Sequence, residues 1–293
     1  MLKLLPSPKM HGLARLRFNA DPTKCYQRHI RELWDEREQK PHLESLDGAR
    51  VVRISNEEAA GVILKYEWLR TMASGTKVCY GLKLNGELLG AACFSIMGGP
   101  IRNICGPKYK PKAVCLARGA CVPHAPKNAG SFQTCWACKQ AFEDFGWQIF
   151  FAYSDSDAGE VGTIYQACGW HYVGEGPGRP SGSFHVDFKS PNGARLITSY
   201  ALNHDTDRTI FRDLGWSESK GDPRQYLLYR GWKQINRYGK KKWLWFEGSP
   251  EERAHLKSLC RYPILPYPKR ETSTEAAPQP SNRAENEAFL CGL

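Results

Sequence analysis

Val114-Cys115-Leu116-Ala117-Arg118-Gly119-Ala120-Cys121-Val122 runs into Pro123-His124-Ala125-Pro126-Lys127-Asn128-Ala129-Gly130 and then into Ser131-Phe132-Gln133-Thr134. The first run reads as a strand, the second as a small-residue loop, and Ser131–Gly146 as a helix. A second strand (Gln148–Ser154) and a short helix (Gly159–Cys168) follow, then Gly169-Trp170 and a strand at His171–Glu175. A strand that stops in small residues and feeds a helix presents free backbone N–H groups at a positive helix end, which suits a pyrophosphate. The second strand delivers Tyr153-Ser154-Asp155 to the same sheet edge, and Tyr165 lies on the helix after it. A cofactor cradle with acid and base groups beside it points to an enzyme.

Upstream, Asn85-Gly86 sits between the alternating runs Lys77–Leu84 and Glu87–Ile96, a strong hairpin signal. Gly48–Ile54 is a short strand, and Ser55-Asn56-Glu57-Glu58 has capping-box form, opening a helix with Tyr66 and Trp68 near its end. Asp21-Pro22 is a helix start leading to about Gln39. Gly98-Gly99-Pro100 to Lys110 reads as a loop. Downstream, Pro177–Ser183 is a Gly/Pro connector, and Phe184–Lys189 and Leu196–Tyr200 form a second hairpin about Ser190-Pro191-Asn192-Gly193.

At 293 residues, with 41% hydrophobic and 12% aromatic content, the chain is long enough for one large domain or for one domain plus a smaller appendage. Its net charge of +11 is unevenly placed: Arg224–Arg270 holds twelve Lys and Arg against three Glu, with nine aromatics interleaved. That local patch points to a polyanion, and to nucleic acid rather than a membrane, because no long apolar run or basic amphipathic helix accompanies it. The organisation reads as a helical arm (1–45), a catalytic domain (46–200), a basic aromatic DNA-binding extension (201–270) and a disordered tail (271–293). Eleven cysteines without framework spacing suit buried free thiols in a reducing compartment. Cys135-Trp136-Ala137-Cys138 falls within a helix, where core packing is its default role. Met1–Pro6 is too short for a signal sequence, so an intracellular protein is expected.

Several side chains then carry either structural or chemical work. Asp155 ends an apolar strand, where it either caps a turn or takes a proton from an acceptor at the ligand-binding edge of an α/β sheet. Arg118 lies inside an apolar strand, so it either pairs with Asp155 or Glu160 or meets substrate. N–H groups near Cys121 and Val122 stand where a thioester carbonyl would be polarised. Asn128, Ala129, Gly130 and Ser131 begin the phosphate-side helix, where capping and phosphate binding are compatible. His124 reads as a surface or capping residue. Tyr66 and Trp68 either pack in the core or stack on an extruded base. Arg237, Tyr238, Lys240, Lys241, Lys242 and Trp243, with Trp245, form the densest basic-aromatic cluster, suited to phosphate contacts with stacking.

The order strand, helix, antiparallel hairpin, strand, helix, strand, helix, strand resembles the GNAT N-acyltransferases over roughly residues 50–200. Within that class, Leu116-Ala117-Arg118-Gly119-Ala120, Ala152-Tyr153-Ser154-Asp155, Gly159-Glu160-Val161-Gly162-Thr163-Ile164-Tyr165-Gln166-Ala167 and Leu265-Pro266-Tyr267-Pro268-Lys269-Arg270 are similar to the Mom family of phage DNA-modification proteins. The phosphate loop departs from the GNAT pattern: Ala125-Pro126-Lys127-Asn128-Ala129-Gly130 keeps only its final small residue. The resemblance implies a mixed α/β GNAT-like fold and acetyl-coenzyme A, or a related acyl-CoA, as cofactor. It implies double-stranded DNA as partner and transfer of a carbamoylmethyl-type group to adenine N6, shielding phage DNA from restriction in the host cytoplasm. It also implies Tyr165 as acid toward the leaving thiolate, and places Tyr66 and Trp68 at the border of the acceptor site. Carbamoylmethyl transfer needs more than simple acylation, since its product is an N-alkyl group bearing an amide. Iron-assisted chemistry is compatible with the family, but no His-x-Asp/Glu spacing names ligands and no metal is assigned. Two other readings stay open: a GNAT enzyme acting on a protein or small-molecule amine, and a non-catalytic DNA-binding protein on a GNAT scaffold.

Overall fold

The computed structural model describes residues 15–16, 25–69, 72–73, 75–96, 100–175, 187–191, 195–197, 208–235 and 240–269. The elements are β1 (Arg15–Leu16), α1 (Tyr26–Glu38), β2 (Arg50–Ile54), α2 (Asn56–Tyr66), β3 (Thr76–Leu84), β4 (Glu87–Ser95), β5 (Ala113–Cys121), α3 (Ala129–Phe145), β6 (Ile149–Asp155), α4 (Thr163–Ala167), β7 (His171–Glu175), β8 (Asp187–Lys189), β9 (Arg195–Ile197), α5 (Thr209–Asp213), α6 (Pro223–Tyr229), β10 (Lys233–Ile235), β11 (Lys240–Phe246) and α7 (Pro250–Ser258). Seven strands form one sheet in the order β2-β3-β4-β5-β6-β11-β7. All its neighbours are antiparallel except β5 and β6.

Local chemistry explains the front half. Asn85 and Gly86 both take positive φ, 50° and 82°, as the two-residue turn between β3 and β4 requires. Ser55 caps α2 with its hydroxyl on the Glu58 N–H, while the Glu58 carboxylate returns to the Ser55 N–H. Ser55→Ala removes one arm of that box. We expect a loss of about 1 kcal/mol and a thermal midpoint lower by about 2–4 °C, read by calorimetry.

One face of the sheet buries Cys79, Leu89, Ala91 and Cys93 against Ile63 of α2. The opposite face buries Tyr80, Phe94, Phe150 and Trp243 against Ala137 and Ala141 of α3. Further along the first face, Phe151, Leu244 and Phe246 meet Leu256 of α7. The helix expected over Gly159–Cys168 is shorter. Left-handed backbone at Gly159 (φ 69°) and Gly162 (φ 70°) delays its start to Thr163, the first residue of α4, and a 3-10 turn, Ser156–Ala158, comes before it. The stretch read as a loop before β5 contains two 3-10 turns, Pro100–Asn103 and Pro107–Lys112. Asp21-Pro22 and the outer ends of the second hairpin lie outside the described residues. The described part of that hairpin is β8 paired with β9.

β11 comes from the segment that the sequence places in a basic extension, yet it fills the slot between β6 and β7. Burial on both faces decides this: Trp243 on one and Leu244 and Phe246 on the other are exposed by 2% or less, which suits a central strand. Between β7 and β11 the chain leaves and rejoins the sheet at the edge where β5 and β6 end. The described part of this insertion has its own core of Phe188, Ile197, Phe211, Trp216, Tyr226, Leu227 and Trp232. Its strands belong to a second sheet ordered β1-β9-β8-β10.

Candidate active site

The parallel pairing of β5 with β6 covers only Ala113↔Ile149, Val114↔Phe150 and Cys115↔Phe151. Beyond Cys115 the strands part: β5 stays on β4 while β6 follows β11 up to the pair Asp155↔Lys240. The split opens a crevice between the tip of β6 and the second half of β5. On β5 the register skips Ala117, since Arg118 faces Cys93 and Leu116 faces Phe94. This bulge turns the strand at Arg118, whose Nη1 donates to the Ala117 carbonyl at 2.6 Å.

The backbone of β5 divides its amides. Val122 N–H donates to the Leu89 carbonyl at 2.8 Å, so it is spent on β4 and does not serve a thioester carbonyl, contrary to the expectation for that residue. Alternation of antiparallel pairing then leaves the N–H groups of Gly119 and Cys121 facing the crevice. At the start of α3, the Ala129 N–H goes to Pro126 O and the Phe132 N–H to Asn128 O. Gly130 and Ser131 hold the first-turn positions whose N–H groups have no partner within a helix. Asn128 is left-handed, φ 74°, and its side chain makes no capping bond; the Ser131 hydroxyl donates to the Asn128 carbonyl instead. A Cβ on Gly130 would meet Ile164 Cδ1 at 3.1 Å, a tight contact that the exposed Ile164 side chain relieves by a small shift. Crevice amides plus a helix end fit the pantetheine arm and pyrophosphate of an acyl-CoA. From α1, the Arg31 guanidinium donates to the carbonyls of Pro123 and Ala125 and braces the loop that feeds α3.

Ionisable groups collect at the crevice mouth. Asp155 is 4% exposed, and Lys240 Nζ stands 3.7 Å from its Oδ2. Glu160 closes the intervening turn from both ends: its carboxylate accepts the Asp155 N–H at 3.2 Å, and its own N–H donates to the Asp155 carbonyl at 3.1 Å. Glu160 itself is half-buried. That burial, with the negative charges of Asp155 and Glu67 and against the pull of the Asp155 amide and Lys240, raises its pKa to about 7. Tyr165 packs its ring on Trp243 (5.6 Å) and Trp170 (5.1 Å). Burial first, then the Glu160 charge, pushes its phenol well above the usual range, so it stays protonated. Glu160 is therefore the group that both Asp155 and Tyr165 feel. Glu67, 6% exposed just after α2, was not among the expected site residues, and Glu160 entered only as a partner for Arg118. The signals were present: Glu160 lies between the strand tip and the Tyr165 helix, and Glu67 lies between Tyr66 and Trp68.

Other expected contacts go elsewhere. Tyr66 donates its phenol to Glu38 at 2.8 Å and packs edge-on to Trp34, while Trp68 is buried with Ile30 and Ala158. Both rings seal α2 against its neighbours and leave no face for an extruded base. Trp243 is fully buried, its Nε1 donating to Ser154 Oγ at 2.9 Å, so it too has no stacking face. Lys241 donates to Glu175 and to Ser156, both at 2.7 Å, and Lys242 lies over the Tyr262 ring at 4.6 Å. Arg237 and Tyr238 fall outside the described residues. His124, expected at the surface, is 3% exposed and bonds Glu87 through Nε2 at 3.0 Å, because the arm before β2 covers it. Cys138 is buried while Cys135, its CxxC partner, is exposed. Among the described residues no group of three or more His, Cys, Asp or Glu could hold a metal ion, so the donor set names no iron ligands. No helix among them is long and apolar enough to cross a membrane.

Two separated sequence motifs meet here. Gln166 donates to the Val161 carbonyl at 2.7 Å and to the Pro268 carbonyl at 3.2 Å. Leu265 bridges to Tyr172, and Tyr267 packs on Trp243 at 5.9 Å. The Leu265-Pro266-Tyr267-Pro268 segment is thus a strap over α4 and β7.

Among solved structures, the chain is similar to an acetyltransferase of Bacillus subtilis in complex with CoA. The two are 11% identical, with 68% of this chain and 98% of that one covered and a TM-score of 0.35. An IAA acetyltransferase from Bacillus cereus is also 11% identical, over 68% and 99%, with a TM-score of 0.36. A GNAT family acetyltransferase from Elizabethkingia anophelis with acetyl-CoA bound is 8% identical over 69% and 99%, with a TM-score of 0.36. No curated protein matches the chain. Residues 49–209, more than half of the 293, match the sequence profile of the Mom protein family and stop short of β11 and the strap. The mixed sheet flanked by helices is the α/β arrangement expected from the order of elements, and by the profile match the chain belongs to the Mom protein family.

Proposed function

We infer that the chain transfers a group derived from an acyl-CoA, of carbamoylmethyl type, to N6 of adenine in DNA. The observation that carries this reading is the coupled set Asp155, Glu160 and Tyr165 at the mouth of a crevice lined with free amides. When bound, the thioester would supply an electrophilic carbonyl carbon, on which N6 attack with loss of the thiolate gives an N6-acyl group; a further step beyond this transfer is then needed to reach the N-alkyl carbamoylmethyl product. The amides of Gly119 and Cys121 would hold the cofactor arm, and those of Gly130 and Ser131 its pyrophosphate. Adenine N6 is a poor nucleophile because its lone pair is delocalised into the ring, so it needs a base in contact. Glu160, titrating near neutrality, accepts that proton, and Asp155 and Arg118 orient the amine. Tyr165 keeps its proton and donates toward the sulfur that leaves.

Nucleoside mass spectrometry tests the reading. DNA from bacteria expressing the full chain, digested to nucleosides, should contain a heavier deoxyadenosine, absent from an Asp155→Asn control. A second reading, transfer to a protein or small-molecule amine, draws on the internal pairing of Lys240 and Lys241. It would be favoured if every nucleoside kept its normal mass while an added amine became acylated.

A further inference from the structure

The lysines of β11 that the sequence assigns to a polyanion have intramolecular partners, yet the net charge of +11 remains. At the opposite end of the same strand, an open cleft of about 280 Å³ is lined by His171, Trp245, Phe246, Arg253, Ala254 and Lys257. No carboxylate lines it. Arg253 and Lys257 are one helical turn apart on α7, so their side chains share a face. Among the described residues neither has an ion-pair partner. Glu251, the carboxylate that feels Arg253, accepts instead from the Ser249 hydroxyl at 2.8 Å. His171 is kept below its usual pKa by burial and by Lys257, so it is neutral at pH 7 and the cleft carries two positive charges. The Trp245 indole N–H is occupied by Glu247 at 2.9 Å, which leaves the ring as a wall.

Resting on the reading of the protein as a DNA-modifying enzyme, we propose that this cleft seats the phosphate backbone of the substrate duplex away from the reacting base. The spacing is suitable. Lys240 at the tip and Phe246 at the cleft are the two ends of β11, about 20 Å apart at strand rise. That is about six phosphates of one strand of B-DNA. A duplex whose target base enters the crevice beside Asp155 can pass the β7 edge of the sheet, next to the buried β11, and meet Arg253 and Lys257 with its flanking backbone. Such contacts carry no sequence information and set register and affinity.

The test uses the full chain and a duplex oligonucleotide, with affinity measured between 50 and 200 mM salt. For Arg253→Ala/Lys257→Ala the slope of log affinity against log salt should become shallower by about two, so that the loss over this range shrinks about tenfold. Arg253→Gln/Lys257→Gln, which keeps the aliphatic stems, should give the same change and separates charge from packing. A wild-type slope in both variants overturns the assignment and leaves the reaction intact. A variant that keeps the slope but loses binding of a mononucleotide overturns it too, because the occupant is then a free nucleotide. A wild-type chain without salt-dependent DNA affinity, joined to unmodified nucleosides, sinks the DNA reading itself.

Discussion

Glu160→Gln should lower the rate of adenine modification by about 10²–10⁴-fold, the usual range for removing a positioned base, and should erase the acid limb of the pH profile. In the native enzyme that limb is expected to rise with a slope of one and level off above about pH 7, where the Glu160 carboxyl gives up its proton. The same substitution has the opposite sign for stability. Glu160 binds its proton more tightly folded than unfolded, with a pKa raised from 4.5 to about 7. Its favourable contribution is therefore complete below about pH 4.5 and is lost as pH rises through about 7. Glutamine is neutral throughout. The variant should gain thermal midpoint relative to wild type at pH 8 compared with pH 5, while losing activity at both. Activity that persists with an unchanged pH profile would remove Glu160 from the chemistry and leave Asp155 as the base.

Gly162→Ala should be strongly damaging, since it joins a left-handed backbone to a clash with a fixed ring. Gly162 holds φ at 70°, and a Cβ there would drive into the Trp243 indole ring. The left-handed backbone alone costs alanine about 1–2 kcal/mol. Overpacking against a fixed ring adds about 1–3 kcal/mol. Trp243 has nowhere to yield, because it is fully buried and its Nε1 holds Ser154 at the tip of β6. We expect the thermal midpoint to fall by roughly 5–15 °C, with modification activity lost together with the seat of Tyr165. Gly48→Ala is the control: its φ is 78°, but a Cβ there meets nothing within 4 Å. It should show the backbone cost without the clash. Equal midpoints for the two variants would remove the Trp243 contact from the explanation.

Features written in a few adjacent residues were legible in the sequence. Asn85-Gly86 specifies its hairpin and Ser55 to Glu58 specify their helix start, and both stand where the sequence placed them. The strand–helix–strand run from β5 to β7 follows from its punctuation by small residues. Of the candidate site, the nearness of Asp155 to the Tyr165 helix could be read within one run, whereas groups that converge from distant segments could not. Glu67 reaches the cluster from the end of α2 and Lys240 from β11, and no local pattern links either to Asp155. The run Lys240-Lys241-Lys242-Trp243-Leu244-Trp245-Phe246 misleads for a related reason. Its composition suits a polyanion, but strand alternation hides Trp243 and brings Lys240 and Lys241 to acidic partners on β6 and β7. Tyr66 and Trp68 were equally ambiguous until α1 was seen to cover them.

The strand that joins β6 to β7 is also the last of the seven to be synthesised. While the ribosome adds the intervening insertion, several seconds pass at about 5–20 residues per second. During that interval the apolar edges of β6 and β7 wait side by side without their shared neighbour. Nascent chains halted before Phe246 should therefore recruit chaperones and aggregate, whereas release a few residues beyond it lets the sheet zip shut.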